Sequence, residues 1–135
     1  MAAQSSAFPS SPAIRPSRVG QVAVRVHDVE RATAFYRDVM GLQFLFHAPG
    51  LAFFQCGEVR FMLSKAEKPE FDHPGSFLYL VVDDIQTAHR AMLDRGVSFR
   101  DTPHVVHRAS SYELWMVFFD DPDGNPYALM EERKT

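Results

Sequence analysis

From Gly20 the chain reads QVAVRV, so that Val22, Val24 and Val26 alternate with Gln21, Ala23 and Arg25. Successive side chains of a strand point to opposite faces. The alternation therefore predicts a strand with its valines on a core and with Gln21 and Arg25 turned towards water or a binding cavity. Asp28 follows, and then Val29, Ala32, Phe35, Tyr36, Val39 and Met40 recur at three- and four-residue spacing up to Gly41. A capping carboxylate, an apolar stripe and a closing glycine predict an amphipathic helix. Strands are expected next at LQFLFHA, at LAFFQC beyond Pro49-Gly50, and at EVRFMLS beyond Gly57.

After a charged linker, KAEKPEFDHPG at 65–75, the pattern restarts as SFLYLVVDDIQTAHRAMLDRGVSF. In register, Val26 falls on Val82, Asp28 on Asp84, Val29 on Ile85, Ala32 on Ala88 and Gln21 on Phe77, and Gly41 meets Gly96 after a one-residue deletion. An internal repeat is the simplest explanation. The second copy continues with an extended HVVHR, a strand YELWMVFF, the turn DDPDGN and a last strand PYALMEE. The expected fold class is thus α+β: two βαβββ modules, at about 19–64 and 76–132, forming a cup-shaped mixed sheet with helices on its outer face. Residues 1–18, rich in Ser, Ala and Pro, read as a flexible extension. They lack the continuous apolar run of a secretory signal, and Pro9, Pro12 and Pro16 would break the amphipathic helix of a mitochondrial presequence.

Composition narrows the function. With 135 residues, 46% of them hydrophobic, and a formal net charge of -3, the chain reads as an ordinary folded domain and not as a coat for nucleic acid. No apolar run reaches membrane-spanning length. The single cysteine, Cys56, forbids an intrachain disulfide and points to a cytoplasmic protein; beside Phe53 and Phe54 it reads as an inert thiol.

Candidate chemistry is sparse. Asp121, Asp123, Asn125 and Glu132 have the spacing of a calcium loop, but Pro126 stands where that loop needs glycine, so a hairpin turn is expected. His104 and His107 lie in an extended segment, where residues three apart point to opposite faces, which makes them poor co-ligands. His104 is the better pocket candidate because it stands near the strand carrying Glu113 and Trp115. That strand is apolar on both faces, so the sequence leaves open whether Glu113 and Trp115 face the cup or the core.

The stretches VHDVERATAFYRDVMGL, VVDDIQTAHRAMLDRGV and FFDDPDGNPYALMEE, with their spacing, resemble the vicinal oxygen chelate superfamily, which includes glyoxalase I, bleomycin-resistance proteins and extradiol dioxygenases. The resemblance implies a cup whose metal ligands, where present, occupy four positions. Here these are Gln21, Met62, Phe77 and Ala128, and only Gln21 carries a usable ligand for a hard or borderline divalent ion. It therefore implies a small-molecule-binding protein with a degenerate metal site and no cofactor. Gln21 and Arg25 would be its polar points, and Met62, Phe77, Ala128 and Trp115 its apolar lining. The alternative is a lyase, isomerase or dioxygenase holding one divalent metal ion at a relocated site such as Gln21, His104 and Glu113. The resemblance also implies a homodimer.

Overall fold

The computed structural model describes residues 14–135, so most of the expected N-terminal extension lies outside it. Both halves follow the repeat. The first runs β1 (Gln21–Arg25), α1 (Val29–Ala34), β2 (Gln43–Ala48), β3 (Leu51–Cys56) and β4 (Val59–Ser64). The second runs β5 (Leu78–Val81), α2 (Ile85–Asp94), β6 (His104–Arg108), β7 (Tyr112–Asp120) and β8 (Pro126–Lys134). Each helix starts as the sequence predicts: the Asp28 side chain accepts from the Arg31 N–H, and that of Asp84 from the Thr87 N–H. Each such bond satisfies a backbone donor that the helix itself cannot pair.

The repeat is imperfect by one residue, and the structure shows where that residue goes. Gly41 lies thirteen residues after Asp28, whereas Gly96 lies twelve after Asp84. The first helix absorbs the difference as a π-helical turn over Phe35–Val39, with the Met40 N–H bonded to the Phe35 carbonyl at 3.0 Å. A π turn is what one extra residue produces inside an α-helix. It leaves Tyr36 wholly buried between the two modules.

The strands form two four-stranded sheets, ordered β1-β4-β3-β2 and β5-β8-β7-β6. In each, the first strand pairs parallel with the last and the other pairings are antiparallel. The expected mixed sheet is thus two sheets not hydrogen-bonded to one another. The edge of β1 and the segment leading into β5 instead flank a cleft of about 340 Å³. The helix-side faces of both sheets supply one contiguous core that includes Val24, Val26, Phe54 and Leu63 from the first module and Val117, Phe119, Tyr127 and Leu129 from the second. Among the described residues no helix is long and apolar enough to cross a membrane.

The modules are joined through the β7–β8 turn. Asp121, buried in this turn, accepts at Oδ1 from the N–H groups of Asp123 and Asn125 at 2.9 and 2.8 Å. At Oδ2 it accepts from Asn125 Nδ2 at 2.8 Å and from the Tyr36 hydroxyl at 2.5 Å. Since Tyr36 donates there, the Tyr127 hydroxyl donates to Tyr36, at 2.8 Å. Burial pushes both phenols above their ordinary range, so they stay neutral. The calcium-like spacing is therefore the spacing of a turn whose aspartate collects N–H groups, and Gly124 supplies its left-handed residue at φ 81.

Candidate functional site

Each sheet has a face that no helix covers, and pairing register fixes which side chains share it. On the first sheet one row is Gln21, Arg60 and Gln55, and the next is Ala23, Met62 and Phe53. On the second, one row is Tyr79, Ala128 and Phe118, and the next is Val81, Met130, Met116 and His104. Met62 beside Ala23 and Ala128 beside Tyr79 occupy equivalent places in the two sheets, and they are two of the four positions where the resemblance would put ligands.

The other two positions sit diagonally next to these. Gln21 Nε2 approaches Met62 Sδ at 3.8 Å, while Gln21 Oε1 accepts from Arg60 Nε at 2.8 Å. Phe77 packs edge-on against Phe118 with ring centroids 6.0 Å apart, and Tyr79 does the same at 6.2 Å, above a fully buried Ala128. As a donor set this is one amide oxygen, already hydrogen-bonded to a guanidinium, and one thioether. Neither the charge nor the number of ligands suits a hard or borderline divalent ion, and the Arg60 cation beside Gln21 opposes one. The residues present do not fit a metal at this place. Among all described residues, no three of His, Cys, Asp and Glu stand close enough to share an ion.

Arg25 lines the cleft between the sheets, with its charge engaged by the protein's own groups. Its side chain is 11% exposed, and its Nη1 donates to the Asp123 carbonyl at 2.5 Å. Its Nε lies 3.2 Å from Asp72 Oδ1, within ion-pair reach but without the alignment of a hydrogen bond. Asp123 in turn accepts from Arg31 at 2.8 Å and from the His27 N–H at 3.2 Å. Arg25 thus ties the end of β1 to the β7–β8 turn and to the linker.

The structure also corrects the histidine parity. His104 pairs with Met116 and His107 with Leu114, because β6 changes register between Val105 and His107. Leu114 and Met116 are two apart, so the bulge brings both histidines to the open face. His104 Nδ1 lies 2.8 Å from the Thr102 carbonyl. Glu113 and Trp115 fall on the helix side, opposite Arg133 and Glu131. There the Arg133 guanidinium lies 4.4 Å over the Trp115 ring, Trp115 Nε1 donates to Glu113 at 3.2 Å, and Arg108 pairs with Glu113. Glu131 accepts from the Ile85 N–H and from Arg133, and the Arg133 bond is the main cause holding its carboxyl below the ordinary range. Gln21, His104 and Glu113 therefore do not converge: Glu113 is on the opposite face of its sheet from His104, and Gln21 is on the other sheet.

Arg60 and Phe53 were missed by sequence reasoning, although strand parity could have found Arg60, two residues before Met62. The Arg60 guanidinium lies 5.5 Å from the Phe53 ring centroid, and Phe53 stacks on Phe46 at 4.6 Å. Arg100, in the connection before β6, similarly lies 5.3 Å over Phe77 and is held by Asp120; nothing in the sequence pattern marks it. Cys56 is half-buried, and burial pushes its thiol up, as suits an unreactive side chain.

Comparison with known proteins places this geometry. None of the curated proteins matches the chain in sequence. Among solved structures, a glyoxalase/bleomycin resistance protein/dioxygenase superfamily member from Sphaerobacter thermophilus is 24% identical with a TM-score of 0.70, over 87% of this chain and 98% of that one. One from Nocardioides reaches a TM-score of 0.73 at 18% identity, covering 97% of this chain and 93% of that one. TnmS3, an antibiotic-binding protein from a Streptomyces species, is 26% identical with a TM-score of 0.70, over 89% of this chain and 99% of that one. The family model described as Glyoxalase/Bleomycin resistance protein/Dioxygenase superfamily matches residues 18–129. With two βαβββ modules and a family match over most of its length, the chain belongs to the glyoxalase/bleomycin resistance protein/dioxygenase superfamily.

Proposed function

We propose that the chain is a small-molecule-binding protein that holds an apolar ligand on the open faces of its sheets and acts by sequestration, without the metal centre of the superfamily's metalloenzymes. The observation that carries this reading is the chemistry of the four family ligand positions: an amide already engaged by Arg60, a thioether, a phenyl ring and a methyl group. Around them stand two more half-exposed aromatic rings, Phe46 and Tyr79, with few polar groups. An apolar lining with sparse polar points is the usual make-up of a ligand site. The likeness to TnmS3 agrees with a binding role.

A thermal-stabilisation screen of metabolites and antibiotics tests the proposal, because a ligand that binds only the folded state raises its apparent stability. Hits are expected to be aromatic compounds whose effect is lost in Phe53→Ala or Phe77→Ala. Near-stoichiometric metal in protein purified without chelators, lost in Gln21→Ala, would overturn it.

We further infer that two copies pair. Tyr79 and Val81 are 48% and 74% exposed on β5, an edge strand, and contiguous exposed apolar surface of this kind marks an interface. Light scattering at working concentration is expected to give a dimer, and Val81→Lys to shift it towards monomer; a wild-type monomer across the accessible range sinks this inference.

A further inference from the structure

One end of the first sheet's open face has a chemistry that the superfamily's ligand positions do not explain. Gln21, Arg60 and Gln55 form one row across β1, β4 and β3, and Arg18 stands beside them with its Nη1 on the Glu58 carbonyl at 3.2 Å. Together with Glu58 they border a hollow of about 470 Å³. Arg25, Arg31, Arg37, Arg100, Arg108 and Arg133 each have a carboxylate within ion-pair distance; Arg18 and Arg60, like Arg15, Arg90 and Arg95, have none among the described residues, and of these five only Arg18 and Arg60 border this hollow. Glu58 shares the hollow yet stays beyond ion-pair reach of both arginines, so two guanidinium charges face one carboxylate.

The next row along the strands is Ala23, Met62 and Phe53, with Phe46 stacked on Phe53. Rows on one face are two residues apart, about 7 Å along a strand. A cationic shelf thus adjoins an aromatic one at the spacing of a single small molecule. Arg60 spans the two, because its Nε is bonded to Gln21 while its guanidinium carbon lies 5.5 Å from the Phe53 ring centroid. A planar fork of donors with free N–H groups matches anionic oxygens, and the stacked rings match a flat apolar body.

We propose that this face binds aryl acids, with the carboxylate or phosphate oxygens at Arg60 and Arg18 and the flat apolar body on Phe46 and Met62, while Phe53, only 9% exposed, backs Phe46 and Arg60 from beneath. The proposal rests on the reading of the open face as a ligand surface and names the chemical class of its ligand.

The test is a calorimetric and amide-NMR titration of the full chain at low salt with 2-naphthoate, 2-naphthyl phosphate, the neutral 2-naphthamide, and inorganic phosphate alone. At least one naphthyl acid is expected to bind about tenfold or more tightly than the amide, to shift the signals of Gln21, Phe53 and Arg60, and to lose part of that advantage at high salt. Which acid prevails tells carboxylate from phosphate as the preferred head group. Arg60→Gln should abolish the preference and Arg18→Gln reduce it. Arg60→Lys should keep part of it, since charge remains while the planar fork is lost, and Arg37→Gln on the helix should leave it intact. Equal binding of acid and amide overturns the aryl-acid proposal while leaving a small-molecule site in place. Inorganic phosphate matching naphthyl phosphate overturns it too, because the aromatic shelf would then contribute nothing. Failure of every naphthyl probe to bind at millimolar concentration overturns this proposal, while the reading beneath it stands or falls on the thermal-stabilisation screen.

Discussion

Asp121→Ala is expected to destabilise the fold by roughly 3–5 kcal/mol, measured as a fall in the free energy of urea unfolding with an unchanged denaturant slope. The carboxylate accepts from four donors, two of them backbone N–H groups in the turn and one the Tyr36 hydroxyl from the other module. Asp121 is 4% exposed and Tyr36 is fully buried, so water cannot replace the lost acceptor without opening the core. Each stranded donor costs about 1–3 kcal/mol, and the rearrangement of the turn recovers part of the total. Tyr36→Phe provides the comparison. It removes one donor, leaves Asp121 Oδ2 with Asn125, and deprives the Tyr127 hydroxyl of its acceptor, so its cost should lie near 1–2 kcal/mol. If Asp121→Ala costs no more than Tyr36→Phe, the turn is held by its β-ladder and by Gly124, and the aspartate is not the connection between modules.

The same network shows what could be read from the sequence and what could not. The elements themselves were legible, since Asp28 and Asp84 cap helices, the strands alternate, and the repeat aligns without structural help. Even the one-residue mismatch between Gly41 and Gly96 was visible, although not its outcome as a π turn that carries Tyr36 towards Asp121. The partners of Arg25 were not legible because parity reports the face of a strand and not what lies beyond it. Asp123, which it contacts, is 98 positions away in sequence. Trp115 lay on a strand apolar on both faces, so its side could be decided only by register, which sets it opposite Glu131. The expectation that His104 and His107 point to opposite faces failed for another reason, because a single bulge reverses the parity of everything beyond it. Patterns of period two or 3.6 thus fixed local structure, while long-range pairing and irregularities decided the site.

Ala128→Glu is the substitution that bears most directly on the proposed binding site, since it places a carboxylate where the resemblance would put a metal ligand. Ala128 is fully buried between Tyr79 and Phe118 in neighbouring strands, with the Phe77 ring against Phe118. A glutamate there must either displace these rings or hold its charge beneath them. Overpacking and burial of an unpaired carboxylate together should cost roughly 2–4 kcal/mol near neutral pH. The pH dependence separates the two terms. Burial raises the folded-state pKa of the new carboxyl above its unfolded value of about 4.3, so the folded form binds a proton more readily than the unfolded chain. Stability relative to wild type then falls as pH rises from the unfolded pKa through the folded one, and below about pH 4 only the overpacking term remains. Urea unfolding across this range measures both. A bound cation could compensate such a charge, but the neighbouring positions offer a phenyl ring, a thioether and an amide already bonded to Arg60. Added zinc, nickel or manganese is therefore expected to leave the unfolding midpoint of the variant where it was. A rise on adding metal, absent in the wild type, would mean that one carboxylate suffices to complete a chelate, and the metal-free reading of this site would fall with it.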